Sequence, residues 1–158
     1  MNKNGFTLIE VLISIVLMGI VISALVGANI CFTDASGESL KLSNAQFLTE
    51  QIRQLTALLA ADDPQTGIAT FGTEEAGLSG YDDIDDFDNK TFSPPINLMR
   101  EQLTDFTGYS QKINVENVSE SNLEQVVSDK GSDTLRVTVE VSLNSELLTS
   151  TSWLRARY

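Results

Sequence analysis

The chain has no histidine and one cysteine, Cys31, among 158 residues. Without histidine, the commonest general base and metal ligand is missing. A Ser–His or Cys–His nucleophile is therefore excluded. A single cysteine rules out an intrachain disulfide, and Cys31 reads as a small hydrophobe at the end of an apolar run. Basic residues are scarce too: 10 Lys and Arg stand against 22 Asp and Glu, a net charge of −12. That excess of acid lies beyond residue 33. It argues against nucleic acid as a partner, since phosphate recognition needs basic patches, and against docking on anionic lipid. There is no Gly-rich phosphate loop, so any work driven by nucleotide hydrolysis must come from another protein.

What the chain does have is a long apolar head. Val11 to Phe32 is 22 residues without a charge, enough to cross a hydrocarbon core as a helix. Ser14, Gly19, Ser23 and Gly27 punctuate it, and small residues there permit close helix contact in lipid. Lys3 precedes the run, while Asp34 and Glu38 follow it. That asymmetry places the N-terminus on the cytoplasmic side and the acidic bulk across the membrane. Glu10 is out of place at the head of this run. A carboxylate there is costly unless something pairs with it. Ala24, Gly27 and Ala28 form a weak cleavage site of the ordinary secretory kind, but one lysine and an internal Glu10 make a poor signal peptide. A plain single-span anchor is the other simple reading.

Gly5-Phe6-Thr7-Leu8-Ile9-Glu10-Val11-Leu12 resembles the processing motif of type IV prepilins and type II secretion pseudopilins. The resemblance implies a leader peptide, residues 1–5, removed by a prepilin peptidase that cuts after Gly5 and methylates the new terminal amine of Phe6. It also implies a membrane and filament-core half of a helix, 6–33, and a periplasmic or extracellular globular domain, 34–158. In such a filament Glu10 faces the amine of a neighbouring subunit. The implied partners are other pilins, the peptidase, an inner-membrane assembly platform with its ATPase, and the inner membrane itself. No catalytic residues are expected.

Helical spacing continues past the apolar run. Leu40, Phe47, Leu48, Ile52, Leu55, Leu58 and Leu59 recur every three or four residues, with Glu38, Lys41, Asn44, Glu50 and Arg53 on the other face. Asp62-Asp63-Pro64 reads as a stop. The pattern predicts one helix from about Thr7 to about Ala61, roughly 80 Å long, with a kink or break at Ser36-Gly37. Residues 62–108 read as loop, punctuated by Gly67, Gly72, Gly77, Gly80, Pro94, Pro95 and Gly108, with a short helix over Asn97–Leu103. Leu135–Leu143 alternates apolar and polar without a slip, the mark of a half-buried strand. Tyr109–Val118 is its expected partner, Asn144-Ser145-Glu146 a turn, and Leu147–Tyr158 a third strand. Three strands need a hydrophobic cover, which the amphipathic half of the helix supplies. The expected fold class is α+β, and its order of helix, loop and antiparallel sheet resembles the pilin fold.

Five aspartates, Asp82, Asp83, Asp85, Asp86 and Asp88, fall within seven positions. Clustered oxygens of this kind suit a hard cation such as calcium, although the spacing is not that of an EF-hand. The competing expectation is a solvated acidic loop, with Ile84 and Phe87 turned inward and the aspartates capping turns. Paired acids also suggest glycoside hydrolysis, but nothing in the sequence gives them a defined separation. Tyr81 to Asn89, Ser93-Pro94-Pro95, Tyr109 and the strand Lys112–Val118 together resemble a segment of minor pilins of the mannose-sensitive haemagglutinin pilus type. The head and size are also similar to minor pilins of the V class and pseudopilin I. These resemblances imply a minor pilin. A secretion pseudopilin and an uncleaved membrane-anchored binding protein are the alternatives.

Overall fold

The computed structural model describes residues 7–61, 63, 71–73 and 75–157. Gly5 and Phe6 lie outside them, as do Asp62, Pro64 and Gly67 of the expected stop and loop. The chain forms two compact units, one ending at Leu40 and the other beginning at Lys41.

Helix α1 runs over Leu8–Leu58. It runs without a break through Ser36-Gly37, where an interruption was one expectation. The Ser36 hydroxyl donates to the Phe32 carbonyl at 2.8 Å; the hydroxyl is thus satisfied along the helix itself. Within the first unit every described residue from Thr7 to Leu40 is exposed, Leu8 at 81% and Phe32 at 73%. By length and composition this half is apolar enough to cross a membrane.

In the second unit the helix behaves differently. Ala45, Leu48, Thr49, Ile52, Leu55 and Thr56 are buried, spaced along one face of a 3.6-residue repeat. The Thr49 and Thr56 hydroxyls donate to the carbonyls of Ala45 and Ile52 at 2.9 and 3.0 Å, so neither is left unsatisfied in the core. Leu40, Phe47 and Leu58, expected on the buried stripe, are exposed at 63%, 47% and 78%. The stripe that faces the sheet is narrower and contains threonine, which hydropathy undervalues.

Among the described residues the sheet has five strands. Four of them follow the spatial order β1 (Lys90–Phe92), β2 (Tyr109–Ser119), β4 (Thr134–Leu143) and β5 (Glu146–Ala156). The fifth, β3 (Asn122–Val126), folds back on the end of β2. All pairings are antiparallel. Tyr109 opposes Leu143 and Val115 opposes Val137, so the inward faces of β2 and β4 coincide. Leu135, Val137, Val139 and Val141 are fully buried and pack with Ile113, Leu48 and Ile52 in one core. Each such aliphatic side chain contributes about 1.5–3 kcal/mol. On the outer face Arg136 pairs with Glu116 and also donates to the Leu123 carbonyl, tying β3 down.

Three elements differ from expectation. β1 and β3 are additional strands. The helix expected over Asn97–Leu103 is instead a tight turn. The Asn97 side-chain oxygen accepts from the N–H groups of Met99 and Glu101 at 2.8 and 2.9 Å, offering the backbone an alternative to helix. Arg100 sits at φ 65°, a left-handed conformation that a right-handed α-helix does not accommodate.

Candidate functional site

Two places among the described residues carry polar chemistry that packing alone does not explain. The first is the start of α1. Thr7 stands just before the helix and Glu10 in its first turn. A Glu10 carboxylate oxygen accepts from the Thr7 N–H and the Thr7 hydroxyl, both at 2.8 Å, while the Glu10 N–H donates to the Thr7 hydroxyl at 3.4 Å. This is a capping box: Thr and Glu three apart satisfy each other's orphan groups. The Thr-x-x-Glu spacing makes it legible, although the sequence reading gave Glu10 an assembly role and not a capping one. Glu10 is exposed, and so is the apolar run that follows. An added Cβ at Gly19 or Gly27 would meet nothing within 4 Å, so both present open backbone to a neighbour.

The second place is the acidic segment after Phe71. A 3₁₀ turn, Asp85–Phe87, lies at its centre. Ile84 and Phe87 are fully buried, as expected, and Tyr81 packs edge-on against Phe87 at 5.1 Å. Aspartates do cap turns here. Asp86 accepts from the N–H of Asp82 at 2.9 Å, and Asp83 accepts from the N–H of Asp86 at 3.1 Å. The loop is not solvated, however. Asp83, Asp85 and Asp86 are at most 1% exposed. Hydrogen bonds from the loop to the rest of the second unit hold them there. Ile84 N–H donates to the Ala60 carbonyl at 3.0 Å, and Asp88 accepts the Val115 N–H of β2 at 2.8 Å. Arg100 donates to the carbonyls of Ser79 and Tyr81.

Of the five aspartates, only two come together as potential ligands. A carboxylate oxygen from each of Glu75, Asp82 and Asp86 lies within 4.8 Å of the others. Asp83 and Asp85 are buried in the same segment but outside this trio. Asp88 is committed elsewhere, to Val115 and to the Asn89 side chain at 2.7 Å. Glu75 lies outside the aspartate run, and nothing in the sequence singled it out. Gly80 makes room for it: a Cβ at Gly80 would sit 3.0 Å from Glu75 Cβ and Cγ. The neighbouring Asp86 carboxyl, and then burial, hold the Glu75 carboxyl above the ordinary carboxylate range. Burial first of all pushes Asp86 up as well.

Among known families, the one described as the prokaryotic N-terminal methylation motif matches residues 1–26. The comparison with curated proteins returned no match, and neither did the comparison with solved structures. The match covers Gly5, Phe6 and Glu10 and extends into the exposed apolar half of α1. At its head the chain therefore carries the type IV prepilin signature.

Proposed function

We propose that this chain is a minor pilin, a structural subunit that enters a type IV filament of the mannose-sensitive haemagglutinin kind. The observation that carries the reading is the methylation motif at residues 1–26, joined to a helix whose first half is exposed on every side and whose second half is built into a globular unit. Prepilin peptidase cuts after Gly5 and methylates Phe6. The chain then waits in the inner membrane with its N-terminus cytoplasmic and its acidic unit periplasmic. Assembly moves the apolar half from lipid into a bundle of like helices, where Gly19 and Gly27 admit close approach.

Glu10 gives the step its specificity. Removing a carboxylate from water costs several kcal/mol unless it is paired. The methylated amine of Phe6 on an adjacent subunit is the partner, and the pair sets the register of insertion. The protein's work is mechanical and architectural, powered by an ATPase on the assembly platform. Filaments sheared from the cells that make the chain test this. The processed chain is expected in the filament fraction together with other pilins. A chain confined to the inner membrane, with none in sheared filaments, contradicts the reading.

A further inference from the structure

We propose that Glu75, Asp82 and Asp86 form a calcium-binding site on the globular unit, fastening the loop after Phe71 to the core. The proposal is independent of processing at Gly5. Three observations converge on it. One carboxylate oxygen from each residue lies within 4.8 Å of the other two. Three oxygens no more than 4.8 Å apart share a centre within about 2.8 Å of each, so a slight inward turn of the carboxylates brings all three to a calcium–oxygen distance of about 2.4 Å.

The second observation is Asp86 itself. It is fully buried. One of its oxygens accepts the N–H of Asp82, while no donor reaches Oδ1. Glu75 Oε2 and Asp83 Oδ2 are buried and lack a donor in the same way. Buried carboxylate oxygens are ordinarily hydrogen-bonded or bound to metal.

The third is the fit between the frame and its cation. Gly80 leaves the space Glu75 occupies, and the Thr73 hydroxyl anchors the turn by donating to the Asp86 carbonyl at 3.0 Å. Arg100 donates to backbone carbonyls of Ser79 and Tyr81. Lys90 stands over the Tyr81 ring at 5.9 Å. An all-oxygen, all-carboxylate set selects a hard cation over zinc or copper. Calcium fits better than magnesium because it accepts an irregular shell without ideal octahedral geometry. Water completes its coordination.

The test uses the full chain in detergent, stripped with EDTA and titrated with calcium chloride or magnesium chloride. Calorimetry is expected to show one calcium per chain, and saturating calcium to raise Tm by at least about 3 °C. Both effects are lost in Asp86→Asn and in Glu75→Gln, and kept in Asp105→Asn, an exposed acid away from the trio. Glu75→Gln alters a half-buried loop side chain, so it reports on the site even if Asp86→Asn folds poorly. No heat and no Tm shift in the unaltered chain at about 10 mM calcium, above the range of the weakest extracellular sites, overturns the proposal. So does calcium binding that persists undiminished in both variants.

Discussion

On the proposed function Glu10 serves two partners at different stages, and substitution separates the two roles. In the subunit its carboxylate caps α1 through Thr7; in the proposed filament its charge would meet an amine. Glutamine at the same position keeps an oxygen for the cap but carries no charge. Glu10→Gln is therefore expected to insert in the membrane and keep its helix content, yet to fall at least about 10-fold in sheared filaments, the effect of a loss near 1.4 kcal/mol. Immunoblots of membrane and filament fractions measure this. Thr7→Ala does the reverse. It weakens the helix start by about 1 kcal/mol while filament incorporation stays near normal. Equal incorporation of Glu10→Gln and the unaltered chain would show that the cap, rather than the charge, is what matters at this position.

At the scale of elements, the joints of the sheet rest on a few backbone and amide contacts. β4 and β5 turn through Asn144 and Ser145, both at positive φ, 50° and 71°, the pair of conformations a two-residue hairpin needs. Gly108 faces this turn at φ 80°, its carbonyl accepting the Asn144 N–H at 2.9 Å. A Cβ there would come within 2.5 Å of Asn144 Oδ1. Gly108→Ala is expected to destabilise the chain by at least about 1 kcal/mol, read as a lower urea midpoint. Gln111 is fully buried and joins three elements. It accepts the Ile96 N–H at 2.7 Å and donates to the carbonyls of Leu48 and Ile96 at 2.8 and 3.2 Å. Gln111→Leu strands those backbone groups and is expected to cost about 2 kcal/mol in the same measurement. An unchanged midpoint would mean that water replaces the amide.

Local patterning made much of this layer readable. The alternation of Leu135–Leu143 and the pairing of Tyr109–Val118 depend on residues near in sequence and stand in the structure; the turn expected over Asn144-Ser145-Glu146 is there at Asn144 and Ser145, while Glu146 opens β5. Gln111 was not readable, because a polar residue on a buried face declares itself only when its distant partners are known. The Asn97 turn was misread as helix for a related reason: one side-chain oxygen captured two backbone donors, against a composition that favours helix. β3, exposed along its whole length, has no alternating pattern to announce it.

For the whole molecule, function is split between a head that is legible and a body that is not. Gly5, Phe6 and Glu10 lie in the matched methylation motif, a pattern carried by neighbours in sequence and so readable without the fold. The acidic trio is different. Asp82 and Asp86 were visible as acids, but their choice of Glu75, the burial of Asp86 and the diversion of Asp88 to β2 arise only when the loop closes on the core. The net charge of −12 makes the body self-repelling, which suits the proposed association through the helix. The account stands on processing at the head. Intact-mass and terminal-peptide spectrometry of the chain recovered from cells with an active prepilin peptidase tests it most directly. The expected product begins at N-methylated Phe6; a chain that still begins at Met1 or Asn2 would contradict the account.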